Sequence, residues 1–223
     1  MTTSEHKLIV AIDGPAGSGK STIASRLARK FNYLNLETGA MYRALALKAI
    51  ERDTSFDDES ALLSLARDSR IELLPKLDGN RVILDDVDIT ERIRHADVSQ
   101  AASRVSVHPE VRSWMVARQR EMGSGGGVVM EGRDVGTKIF PDADVKIFLE
   151  ATHDVRMERR LKQHGGDAEK IAAELRERDM RDRRRVASPL VPAPDAVVLD
   201  SSHLSIDEVV ARIEELITQK LGA

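Results

Sequence analysis

The stretch Leu8 to Thr22, LIVAIDGPAGSGKST, decides how the rest of the chain is read. Leu8, Ile9, Val10, Ala11 and Ile12 form an apolar run suited to a buried parallel strand. Asp13 ends the run, and Gly14, Pro15, Ala16, Gly17, Ser18, Gly19, Lys20, Ser21 and Thr22 follow in the spacing G-x-x-x-x-G-K-[ST]. Gly14, Gly17 and Gly19 lack a Cβ, so successive backbone N–H groups can turn toward one anion. Lys20 adds a point charge. Ser21 offers a hydroxyl to a magnesium ion and opens a helix whose N-terminal dipole favours phosphate. Ile23, Ala24, Leu27, Ala28 and Phe31 recur behind it at helical spacing, so strand, loop and helix stand in the order that a nucleoside triphosphate cradle requires.

Working outward, Tyr33 to Leu36 reads as a second strand, with Thr38 capping a helix that turns Met41, Leu45, Ala46 and Ala49 inward. Thr38, Tyr42 and Arg43 then sit at a strand end, where doubly wound sheets bind ligands, although a capped helix with surface Tyr and Arg fits the same residues. Asp57 and Asp58 cap a short helix over Ala61 to Arg67. From Ile71 to Ile89 the pattern changes to short strands with a tight turn at Asp78-Gly79, a small antiparallel insertion that either folds over an acceptor or is decorative. Pro109 opens a helix bearing Arg112, Arg118 and Arg120. After the break Gly123 to Gly127, VVM leads into EGRDVGT, which leaves Arg133 and Asp134 at a strand end. Asp144 to Leu149 gives a further strand, and a helix from about Asp154 carries Arg156, Arg159 and Arg160. Gly165-Gly166 marks a loop tip. The next helix holds Arg176, Arg178, Arg181, Arg183, Arg184 and Arg185, more than Glu177, Asp179 and Asp182 can pair. It reads either as a solvated charged helix or as an arginine lid that offsets triphosphate charge. Ala196 to Leu199 is a last strand, and an amphipathic helix from Ser205 closes the chain.

Composition narrows the function. A formal charge of −3 and 3% aromatic residues argue against nucleic acid or an anionic membrane as partner. The chain has no cysteine, which excludes disulfides and thiolate metal sites and suits a reducing, cytoplasmic setting. No apolar run approaches the roughly 18 residues of a membrane span. The alternation of strands and helices predicts an α/β fold, a P-loop core in three α/β/α layers around a parallel sheet. The 223 residues are expected to form a single domain, with the β insertion at about 70–90 and the lid at about 155–185. A regulatory GTPase would need N-K-x-D and D-x-x-G, neither of which occurs, and a mechanochemical ATPase usually needs much more chain. A small-molecule kinase is the class that remains.

GPAGSGKST, ETGAMYR, AASRVSVHPEVR, EGRDVGT, KIFLEAT, RDMRDRRRVASPL and VVLDSS resemble, in order, the segments of bacterial cytidylate kinases, from about residue 8 to 220. The resemblance implies transfer of the γ-phosphoryl group of ATP to CMP or dCMP with Mg2+, by a monomer. It implies that Gly14 to Thr22 hold ATP, with Lys20 on its phosphates, Ser21 near the metal and Asp13 holding a metal-bound water. It places Arg43, Arg133 and Arg185 at the CMP phosphate, Ser103, Arg112 and Asp134 at cytosine with help from Thr38, and Tyr42, Arg178 and Asp182 at the pentose. Cytosine presents an amino donor beside ring acceptors, so a carboxylate plus a guanidinium suits it and opposes uracil. Glu37 stands where many relatives carry Asp, and position 131 is also Glu. A shikimate kinase is the second candidate enzyme.

Overall fold

Successive side chains of the strand that precedes the glycine-rich loop enter two different buried cores, and this sets the layers. The computed structural model describes residues 7–76 and 79–222. Its first half runs β1 (Ile9–Asp13), α1 (Lys20–Phe31), β2 (Leu34–Glu37), α2 (Thr38–Glu51), α3 (Glu59–Arg67), β3 (Ile71–Lys76), β4 (Gly79–Leu84) and β5 (Val87–Asp88). The second half runs α4 (Ala96–Val105), α5 (Pro109–Gly123), β6 (Val128–Gly132), β7 (Val145–Glu150), α6 (His153–His164), α7 (Ala168–Arg184), β8 (Val197–Asp200) and α8 (Ile206–Leu221). The main sheet is parallel, in the order β2-β6-β1-β7-β8. Val10, Ile12 and Val129 face α1 and α8, whereas Ala11, Val128 and Met130 face the opposite layer, which is built from α2 to α5. Both faces are therefore covered, which is why the strands read as continuous apolar runs. Each fully buried Leu or Ile in these layers contributes roughly 1.5–3 kcal/mol. Among the described residues no helix is long and apolar enough to cross a membrane.

Three local expectations change. Thr38 is the first residue of α2 rather than its cap; Glu37 precedes the helix, and the Thr38 hydroxyl donates instead to the Glu131 carbonyl at 2.9 Å. α2 is buried almost all round rather than on one face, because the inserted strands cover the side that the sheet and α4 leave open. Only Asp58 caps α3, accepting from the Ala61 N–H, while Asp57 pairs with Arg104 at 2.8 Å.

The insertion is a three-stranded antiparallel sheet, β3-β4-β5. The turn expected at Asp78-Gly79 involves residue 78, which lies outside the described residues. A second tight turn, read from sequence as strand, falls at Asp85-Asp86, whose φ values of 49° and 68° suit a two-residue hairpin. Lys48 of α2 reaches Asp85 at 2.6 Å and so fastens this turn to the main body. The starts of α6, α7 and α8 follow their capping chemistry: Thr152 and Asp167 accept from N–H groups of α6 and α7, and Ser205 forms a capping box with Glu208.

Candidate active site

The loop after β1 adopts its shape because three glycines take backbone angles that side chains resist. Gly14, Gly17 and Gly19 have φ of 150°, 79° and 99°, and a Cβ on Gly14 would lie 2.1 Å from the Leu149 carbonyl oxygen. Lys20, 5% exposed, begins α1 and folds its ammonium back over the loop, donating to the Pro15 carbonyl at 2.7 Å. Ser18 donates to the same carbonyl, and Ala16 packs against Ile171 and Leu175 of α7. Ser21 and Thr22 lie exposed in the first turn of α1.

Parallel registry brings three carboxylates to the C-terminal edge of the sheet. Asp13 lies beside Gly132, and Glu37 beside Glu131. Asp13 accepts the Val135 and Gly136 N–H groups at 2.8 Å each, and burial pushes its carboxyl up to about 6 against those two hydrogen bonds. Ser21 donates to Glu131 at 2.6 Å. Burial, then the nearby Glu37 charge, raises the Glu131 carboxyl. Burial also acts upward on Glu37, but the Arg43 guanidinium at 2.5 Å outweighs it, and the net shift is down. Two acids side by side are thus shifted in opposite directions, because Glu37 has an arginine hydrogen-bonded to it and Glu131 has the Glu37 charge beside it.

The cations converge on the same edge. Burial, then the Arg133 charge, lowers the Lys20 ammonium to about 7, and burial, then Arg133, lowers Arg178 to about 10. Arg133 donates to Asp182 at 2.9 Å, and this carboxylate outweighs burial to hold its guanidinium up. Asp182 also faces Arg185 at 3.5 Å, so both of its oxygens are engaged by arginines. Arg112 and Asp134 form a buried pair at 2.5 Å, with the Arg112 guanidinium 5.3 Å from the Tyr42 ring centre. Burial raises the Tyr42 phenol to about 12.

Several buried polar atoms here have no hydrogen-bond partner among the described residues: Tyr42 Oη, Arg43 Nε, Ser103 Oγ, Arg112 Nε, Arg178 Nε and an Arg185 Nη. Unpaired buried donors are costly, so their concentration at one place marks a site shaped for a polar ligand. A cleft of about 210 Å3 opens beside them between α4 and α7, with Ser103, Arg104, Arg160, Arg178 and Arg181 in its walls.

The structure brings Lys20, Arg43, Arg133, Arg178, Asp182 and Arg185 toward one edge, beside Tyr42, Arg112 and Asp134, and places Ser103 on α4 in the wall of the cleft; further residues touch the loop. Arg156 and Arg159 grip the outside of the loop, donating to the Ala16 carbonyl at 3.0 Å and the Ser18 carbonyl at 3.2 Å. Ser201, just past β8, also donates to the Ser18 carbonyl at 3.1 Å. Asn80 of β4 reaches the edge of β2, where the amide orientation that satisfies both neighbours puts its oxygen 3.0 Å from the Glu37 nitrogen, as acceptor, and its nitrogen 2.6 Å from the Asn35 carbonyl oxygen, as donor. Local sequence does not signal Asn80, and Ser201 stands in the segment VVLDSS with nothing to tie it to the loop, because each acts from an element remote in the chain. Glu131 was legible as a strand-end acid, but not as the partner of Ser21.

Ser21 and Glu131 supply hard oxygen ligands of the kind magnesium takes, one hydroxyl and one carboxylate. Among the described residues no group of three or more His, Asp or Glu could hold a metal alone.

Known proteins match the chain over nearly its whole length. The family model described as cytidylate kinase matches residues 10–219. A cytidylate kinase of Geobacillus kaustophilus is 46% identical over 98% of this chain and 100% of its own. One from Enterococcus faecalis is 46% identical over 96% of this chain and 97% of its own. A solved structure of an uncharacterized protein from Eubacterium ventriosum shares the fold, with a TM-score of 0.55 at 13% identity, covering 95% of this chain and 99% of that one. With the match spanning nearly all the described sheet and both sides of the site, the chain belongs to the cytidylate kinase family.

Proposed function

We propose that the protein transfers the γ-phosphoryl group of ATP to CMP or dCMP, giving ADP and the diphosphate. The observation that carries this reading is the convergence of Lys20, Arg43, Arg133, Arg178 and Arg185 on one edge, where burial and mutual repulsion penalise the charges of Lys20 and Arg178. Polyanionic substrates relieve that penalty. Two phosphate esters repel, so catalysis here is alignment and charge compensation, and the attacking oxygen of an ionised phosphate needs no general base.

Gly14 to Thr22 cradle the ATP phosphates, with Lys20 on the transferring group. Arg43, Arg133 and Arg185 hold the acceptor phosphate. Ser103, Arg112 and Asp134 read the base, supported by the unpaired Ser103 Oγ and Arg112 Nε. Thr38 contributes there by fixing the ends of β6 and α2. Tyr42 and Arg178 face the pentose, again with unpaired polar atoms. Asp182 joins them by releasing one of its arginines. Ser21 and Glu131 hold magnesium, which supplies positive charge to the transferring phosphates. Asp13 contributes by fixing the Val135–Gly136 backbone, and one lone pair on each of its oxygens remains for a metal-bound water. The protein acts as a monomeric single domain in the cytoplasm, with α6 and α7 as its lid and β3 to β5 as an insertion on the acceptor side.

An ADP-release assay across CMP, dCMP, UMP, AMP and shikimate tests this reading. The highest kcat/KM is expected for CMP or dCMP. Faster turnover of AMP or shikimate overturns the substrate assignment.

A further inference from the structure

The pair formed by Arg156 and Asp179 takes no part in the roles above, yet it is among the most enclosed charged contacts in the protein. Arg156 is 4% exposed. Its Nε donates to the Ala151 carbonyl at 3.1 Å, and one Nη donates both to the Ala16 carbonyl at 3.0 Å and to Asp179 at 3.1 Å. The other Nη donates to the second Asp179 oxygen at 2.6 Å. One planar guanidinium thus joins three places: the end of β7, the phosphate loop and α7. Lysine cannot reproduce this fork.

Each end of the contact touches a different half of the site. On the loop side, a trans peptide is planar, so fixing the Ala16 carbonyl against Arg156 turns the Gly17 N–H the opposite way. Gly17 rests directly on Arg156, where a Cβ would come within 3.2 Å of the Arg156 carbonyl oxygen. On the α7 side, Asp179 follows Arg178 and stands three residues before Asp182, which holds Arg133. Residues three apart share a helix face, so α7 presents side by side one carboxylate held from the loop side and one that holds Arg133. The apolar contacts of Ala16 with Ile171 and Leu175 run in parallel with the ion pair.

We propose that Arg156 and Asp179 are positioning residues that couple the phosphate loop to α7, so that filling the ATP site tightens the CMP site and the reverse. The inference rests on the substrate reading given above. Coupling of this kind is reciprocal, and it has a readout that a purely stabilising ion pair would not move.

The test is a calorimetric titration of CMP into the protein alone, and into protein saturated with a non-hydrolysable ATP analogue and magnesium. In the unaltered protein the analogue should raise CMP affinity by about fivefold or more, the lower end of typical coupling. In Asp179→Asn the ratio should fall to within about twofold of unity, while CMP affinity without the analogue changes much less. Arg156→Lys keeps the charge and loses the fork, and it carries the same expectation if the first variant does not fold. A variant that is folded and keeps the full ratio overturns the proposal, as does an unaltered protein whose two sites bind independently. Failure of the unaltered protein to bind CMP or the analogue at all overturns the substrate reading itself.

Discussion

The two halves of the site are built in different ways. The donor half is one continuous loop that offers backbone, and its only large side chain, Lys20, folds back onto it. The acceptor half has no loop of its own. It is made of side chains from α2, α4, α5, the end of β6 and α7, with Arg43, Arg112 and Arg133 each held by a carboxylate from another element. Backbone cradles depend on glycine angles at neighbouring positions, so they are compact in sequence. Side-chain clusters depend on the fold to gather them. Substitutions on the two sides should therefore fail differently: on the donor side by losing charge at the reacting group, on the acceptor side by leaving a buried partner unpaired.

Lys20→Ala gives the largest effect. It removes one preorganised charge from the loop and leaves the apolar layers untouched, so turnover should drop about a hundredfold to a thousandfold, as with other single electrostatic donors. Circular dichroism and the melting temperature should stay near those of the unaltered protein. Near-normal turnover would remove Lys20 from the chemistry.

Asp134 probes the acceptor half. Asp134→Ala strands Arg112, whose side chain is 2% exposed. Breaking such a pair costs about 3–5 kcal/mol, so this variant is expected to melt early. Asp134→Asn keeps the shape and is the fairer test of base reading. Its kcat/KM for CMP should fall at least about tenfold, with a much smaller loss for UMP, because a mismatched polar site leaves its groups unpaired. Equal losses for both bases would mean that Asp134 serves only to hold Arg112.

The same contrast decides what was legible in the sequence. Strand, loop and α1 follow from contiguous residues, and so do the capped starts of α3 and α8. Thr38 does not cap α2 as its sequence context suggests, because its hydroxyl has two possible partners, the N–H groups of its own helix or the carbonyl of Glu131, and only the adjacency of β2 and β6 selects the second. The burial of α2 on every side was hidden for a similar reason, since the insertion that covers it comes later in the chain. Resemblance to a family gathered the acceptor residues in advance, whereas spacing alone offered only isolated strand-end arginines. The arginine excess of α7 was visible. Its resolution was not, because Asp179 is spent on Arg156 of α6, and Asp182 on Arg133 beyond β6.

Lys20 also yields a pH dependence on the donor side. Burial and Arg133 lower its ammonium to about 7 in the protein without nucleotide. A triphosphate beside it favours the charged form and moves the value back up. Below pH 7 the site is already charged, and binding takes up little proton. Above pH 7 the ammonium must first be protonated, so proton uptake on binding should approach one by pH 8, with affinity about tenfold weaker than at pH 6 from this group. Calorimetry in two buffers of different ionisation enthalpy measures the uptake, and Lys20→Met should abolish it. Uptake that persists in Lys20→Met belongs to another group, and the lowered Lys20 would then have no functional consequence.

The smallest expected effect lies farthest from the chemistry, at Asn80. β2 is an edge strand of the main sheet, paired only with β6, and an edge leaves backbone groups without partners. Asn80 supplies those partners from β4, since its amide pairs with the Glu37 N–H and the Asn35 carbonyl as a neighbouring strand would. Glu37 in turn holds Arg43 at 2.5 Å, so the insertion reaches the acceptor site through two hydrogen-bonded steps. Asn80→Ala leaves a buried N–H and C=O unpaired, at a cost of about 1–3 kcal/mol, and frees Glu37 to shift. Arg43 would then be less well placed for the acceptor phosphate. KM for CMP should rise about threefold while KM for ATP stays unchanged, the sign of lost uniform binding rather than lost transition-state binding. Equal rises in both constants would mean a general loosening of the sheet. A lower melting temperature with neither constant altered would mean that the insertion braces the edge of β2 and does nothing for Arg43, so that the acceptor half would not depend on this distant support.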